Sequence, residues 1–116
     1  MTGKLDLRRE DRAQMLFAPT LLGKEGRALA RVADLSMHGA LLYARRGLFS
    51  KGETISGWLQ SLPIDGGDEI FLAVGLSVRW ISEDNEAGWS CIGCEMLPMD
   101  ADSLGTLQHL IEVSAP

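Results

Sequence analysis

A chain of 116 residues, 46% hydrophobic and 23% charged, has apolar material for one core and little room for a second domain. No stretch of about eighteen apolar residues occurs and the opening MTGKLDLRRE has no apolar signal core, so a soluble, cytoplasmic protein without membrane insertion is expected. The net charge of −5 is divided unevenly: residues 1–51 hold ten basic and five acidic side chains, whereas residues 52–116 hold one base, Arg79, and eleven acids. Such a chain can focus a local positive field on a small anion, but its acidic half would repel a long phosphate backbone, which argues against a nucleic acid polymer as partner. Charge alone fits two solvated faces equally well.

Residues 1–13 are polar and basic without apolar periodicity and read as a flexible, exposed arm preceding a domain over 14–116. A first strand is expected near 14–22, ended by Gly23-Lys24-Glu25-Gly26, and a second near 27–35, where Ala28, Ala30 and Val32 alternate with Arg27, Leu29 and Arg31. A third falls near 39–44, and a fourth over 53–62 is stopped by Pro63 and the turn-prone Asp65-Gly66-Gly67-Asp68. Residues 69–82 give the longest strand signal, with Gly75 expected to mark a bulge or bend. A sixth strand over about 88–97 follows the polar turn at 83–86. The period then changes: Leu104, Leu107, Leu110 and Ile111 recur at helical spacing, with Asp100 or Asp102 placed to cap the first turn. Six short strands with glycine-rich turns and one terminal helix predict a mainly-β protein, a small antiparallel barrel plugged or flanked by that helix.

Two groups of residues stand out chemically. The arm carries Arg8, Arg9 and Arg12 around Glu10 and Asp11. Arginine forks pair bidentately with phosphate and stack on purine faces, although terminal arginines are commonly just solvated. Between the second and third strands lies Asp34-Leu35-Ser36-Met37-His38-Gly39. Alternation sends Asp34 and Ser36 to one face and Leu35 to the other. An ionised Asp accepts two hydrogen bonds, which suits the adjacent N–H donors of a guanine edge, and Ser36 adds a hydroxyl. Gly39 supplies either a positive φ or a close backbone approach for a ligand. The same residues also suit a hairpin connection closed by local side-chain bonds.

In combination, an Arg-x-x-x-Arg arm (Arg8, Arg12) and, about twenty residues on, an Asp-x-Ser-x-x-Gly turn (Asp34, Ser36, Gly39) resemble the PilZ domain family of cyclic di-GMP receptors. The likeness extends over nearly the whole chain: Lys51-Gly52-Glu53 through Leu62-Pro63 looks like the family's fourth strand and its exit, and Ile92-Gly93-Cys94-Glu95-Met96 like its glycine-containing last strand. The resemblance implies a six-stranded PilZ-type barrel with a C-terminal helix, serving bacterial second-messenger signalling. It also implies that the arm arginines clamp phosphates and guanine faces while Asp34, Ser36 and Gly39 hold a guanine edge. On this reading the arm orders when cyclic di-GMP binds and signals to a downstream protein partner. The competing expectation is a PilZ-like interaction module that binds no nucleotide. Trp80, near the end of the long strand, offers a flat face for a guanine, but its parity with Leu72, Val74, Leu76 and Val78 directs it to the core.

Other chemistry is not expected. Cys91 and Cys94 have the spacing of a metal half-site or redox pair, yet an offset of three within a strand sends them to opposite faces, and no second pair or histidine cluster completes a site. His38 and His109 are the only histidines, and neither a nucleophile–base pair nor a GxxxxGK[ST] phosphate loop is present. The expectation is therefore a binding protein, not an enzyme, with no cofactor and no metal beyond the nucleotide ligand itself.

Overall fold

A computed structural model describes residues 18–61, 69–83 and 88–114. Six antiparallel strands form a closed barrel in the order β1-β2-β3-β6-β5-β4, with β1 pairing β4 to complete the ring. The strands are β1 (Thr20–Leu22), β2 (Ala28–Leu35), β3 (Gly39–Arg45), β4 (Thr54–Ser61), β5 (Ile70–Glu83) and β6 (Trp89–Met96). One helix, α1 (Ala101–Ser114), follows. Closure removes every sheet edge that would otherwise invite pairing with another chain.

The core is filled by the inward residues of each strand, among them Leu21, Val32, Leu42, Leu59, Leu76, Val78 and Ile92. Strand alternation therefore behaves as the sequence pattern predicts over most of the barrel. Helix α1 contributes Leu107 and Leu110 to the same core and packs chiefly on β5, whereas Leu104, expected on the buried face, is partly exposed. Asp100 is its cap: the carboxylate Oδ1 accepts the Ser103 N–H at 2.8 Å, and the Asp100 carbonyl accepts the first helical bond, from Leu104 N–H. The bonds from Ser103 favour the ionised carboxylate and hold its pKa below the ordinary value.

Three details differ from the sequence expectations. The described part of β1 is only three residues long, since Ala18 and Pro19 are not in the ladder and 14–17 lie outside the described residues. Gly75 is not a bulge; it pairs in register with Ser56. A side chain there would meet Leu97, whose N–H donates to the Gly75 carbonyl as the chain leaves β6 and crosses β5. The bulge in β5 lies further on, between Val78 and Trp80, where Arg79 is the extra residue. A matching bulge in β2 makes Ala33 the extra residue between Val32 and Asp34.

Candidate functional site

The two bulges frame a site. In β2 the alternation seats Ala30 and Val32 in the core; without an extra residue, Asp34 would follow them inward. The Ala33 bulge turns Asp34 out to solvent and lets Leu35 fill the core position. In β5 the same device corrects the expectation for Trp80. Leu72, Val74, Leu76 and Val78 do point inward, but the extra Arg79 reverses the parity, and Trp80 is 46% exposed on the outer face. Two strands, β3 and β6, run between the bulges, and the wall is depressed there.

This open depression has a volume of about 380 Å³, within the usual range for small-molecule sites, on the order of 300–1,000 Å³. Asp34, Ser36, His38 and Gly39 line it from the β2–β3 side, and Arg79, Trp80, Gly93 and Glu95 from the β5–β6 side. Asp34, Ser36 and Gly39 are thus brought together with Trp80. Arg8, Arg9 and Arg12 lie outside the described residues.

The turn itself is held by local bonds. Ser36 Oγ accepts N–H bonds from His38 at 3.3 Å and Gly39 at 3.2 Å, and Ser36 N–H donates to the Gly39 carbonyl at 2.9 Å. Asp34 Oδ1 accepts the Leu35 N–H at 2.9 Å. One carboxylate oxygen is thus engaged in shaping the bulge, which leaves the second as an acceptor on the outer face. Gly39 does not have the positive φ considered above, and it lines the depression. The positive-φ glycines among the described residues are Gly26, Gly47, Gly52 and Gly88. At Gly39 a Cβ would fall 2.5 Å from the Cys94 carbonyl oxygen of β6, so it is the neighbouring strand that requires glycine.

Arg79 and Glu95 also line the depression, although no motif in the sequence singles them out. Their side chains form an exposed ion pair across β5 and β6 at the rim of the depression. The available signal was Arg79 itself, the only base after residue 51, directly beside a tryptophan. Along the same outer face, Tyr43 stacks on Trp89 with ring centroids 5.2 Å apart, and the Arg45 guanidinium lies 5.9 Å from the Trp89 ring. Cys91 and Cys94 diverge as alternation predicts: Cys94 is in the core, where burial pushes its thiol up to about 11, and Cys91 is on the outer side.

An acceptor at one bulge, and an indole beside the Arg79–Glu95 ion pair at the other, suit a planar, polar ligand. The family model described as the PilZ domain matches residues 6–113. This chain belongs to the PilZ domain family. Alginate biosynthesis protein Alg44 of Pseudomonas syringae pv. tomato is 35% identical over 89 residues, which cover 76% of this PilZ chain and 21% of Alg44. Two solved structures of K. pneumonia MrkH, one in its apo state, superpose with TM-scores of 0.54 and 0.55. They are 16% and 15% identical and cover 83% of the chain but 45% and 43% of MrkH, a likeness of fold. This PilZ domain therefore spans about a fifth of Alg44 and less than half of MrkH. Among the described residues no helix is long and apolar enough to cross a membrane.

Proposed function

We propose that this PilZ domain is a cytoplasmic cyclic di-GMP receptor that passes ligand occupancy to a downstream protein and catalyses no reaction. The observation that carries the reading is the meeting of Asp34, Ser36 and Gly39 with Arg79 and Trp80 around one depression of ligand size, in a chain of this family. A guanine presents adjacent N–H donors to the Asp34 carboxylate, and its π face suits the Trp80 indole. Arg8, Arg9 and Arg12 supply the phosphate clamp, because guanidinium forks match phosphate oxygens and stack on purines. The ligand's two phosphates offset the repulsion among the three arginines, so the arm orders on binding and offers a partner a new surface.

Isothermal titration with cyclic di-GMP, GMP and GTP in parallel tests the reading. Cyclic di-GMP binds with micromolar or better affinity, on the order of 8 kcal/mol, and GMP and GTP bind far more weakly. Arg12→Ala and Asp34→Ala each weaken binding by about 2 kcal/mol, since each leaves a charged group unpaired. Full-strength binding by both variants sinks the site assignment. Amide hydrogen exchange tests the arm: residues 4–13 gain protection with ligand while the barrel strands change little.

A second reading, an interaction module that binds no nucleotide, is favoured by one observation. Ser36 Oγ is already committed to the His38 and Gly39 N–H groups, as a purely structural turn requires. No heat of binding with any of the three nucleotides would select it.

A further inference from the structure

Trp80 and Gly93 are direct partners across β5 and β6. An ideal Cβ on Gly93 would fall 2.1 Å from Cε2, 2.2 Å from Nε1 and 2.6 Å from Cζ2 of the Trp80 ring. All three lie far inside van der Waals contact, so the indole occupies the space in which any other residue at position 93 would place its side chain. Gly93 is accordingly buried although it belongs to the outer row of β6, and the ring that covers it remains 46% exposed toward the depression.

We infer that Gly93 is a positioning residue, a bare stretch of backbone on which the Trp80 indole is seated so that its outward face is a ready stacking platform for a purine base of the ligand. The inference rests on the receptor reading above and adds Gly93 to its mechanism. The backbone cannot readily shift to admit a Cβ, because the Arg79 bulge fixes where Trp80 leaves the strand and the β5–β6 ladder fixes the distance to Gly93. The substitution Gly93→Ala would instead lift or rotate the indole away from the wall. A ring already held in place loses little freedom on stacking, whereas a lifted ring must be ordered by the ligand, and affinity falls. The alternative is that the aromatic ring covers the glycine only to strengthen the sheet. That role would change folding stability and leave ligand affinity alone.

The test uses the full chain with Trp58→Phe and Trp89→Phe, so that Trp80 is the sole indole and position 89 keeps a ring to stack on Tyr43. Cyclic di-GMP is titrated into this background, Gly93→Ala, Trp80→Ala and the double variant, by calorimetry in all four and by Trp80 fluorescence where the indole remains. In the background chain, binding quenches Trp80. Gly93→Ala binds at least tenfold more weakly, and its indole is more accessible to acrylamide before any ligand is added. Trp80→Ala shows a similar loss, and the double variant is no worse than Trp80→Ala, because Gly93 acts only through the ring. The double variant also removes the clash, so it reads the coupling even if Gly93→Ala fails to fold. Wild-type affinity in a folded Gly93→Ala, or a double variant weaker than Trp80→Ala, overturns the inference. Unchanged affinity in Trp80→Ala overturns it and leaves the receptor reading standing, whereas absence of binding by the background and unmodified chains alike ends both.

Discussion

The barrel has two unlike walls, and β5 belongs to both. Over Ile70–Ser77 it pairs with β4 in eight successive residue pairs without interruption, and the alternation of buried and exposed side chains is regular. Beyond Val78 the same strand bulges against β6, and across β3 the strand β2 bulges in the same way. The first wall encloses core and presents Trp58 and Phe71 outward; the second presents two bulged corners facing one depression. An inserted residue bends its strand and re-aims its neighbours. The contrast teaches that the depression is made where regularity is given up: one extra residue per strand turns two core positions outward to line it.

Removing an insertion should therefore break the contrast most severely. Deletion of Ala33 restores simple alternation in β2 and drives the Asp34 carboxylate toward the core, at a cost of more than about 4 kcal/mol, with loss of ligand binding. Urea denaturation and titration read the two effects, and a deletion variant of unchanged stability would mean that the bulge does not set the direction of Asp34. Next in size is Leu59→Ala on the regular wall, which leaves a cavity and costs about 3 kcal/mol. Below its unfolding midpoint this variant keeps wild-type affinity, because the β4 wall supplies nothing to the depression.

Two glycines sharpen the comparison at equal energy. A Cβ at Gly39 meets the Cys94 carbonyl oxygen at 2.5 Å, and one at Gly57 in β4 meets the Leu22 carbonyl oxygen. Both obstacles are backbone, so Gly39→Ala and Gly57→Ala are each expected to cost about 2 kcal/mol. Only Gly39→Ala weakens cyclic di-GMP binding. Equal losses of affinity in the two would show that binding follows global stability and not the bulged wall.

The smallest effect falls outside both walls. The Asp100 carboxyl is held below its ordinary value of 3.8 by bonds from Ser103, so its capping contribution is present above that value and is lost as pH falls through the lower, folded one. Amide protection of Ser103 and Leu104 should decline in that acid window while the barrel amides hold. Asp100→Ala should remove the pH dependence.

The sequence is most legible where one rule governs the backbone. Period-two patterning and glycine-rich turns locate all six strands, and the change to helical spacing after residue 100 locates α1. A bulge has no such signature. It adds one residue without changing composition, and parity counted from Leu72 or Ala30 is correct until it crosses the insertion. Trp80 is misdirected for this reason. Asp34 does lie opposite Leu35, as expected, but which of the two faces is outward is set by the bulge. The glycine requirement at Gly39 is equally invisible, since it arises from Cys94, more than fifty residues away in the chain. Arg79 and Glu95 can be named only once the pairing of β5 with β6 is known.

The register also fixes where the chain joins the barrel. Thr20 pairs with Arg31 and Gln60, so β1 starts at the rim where β2 ends, and the Met96 N–H donates to the His38 carbonyl, so β6 ends at that rim too. The start of β1 and the end of β6 thus lie toward the side of the barrel that carries the Ser36–Gly39 turn. Helix α1 therefore sets out from the rim beside the depression before it packs on β5.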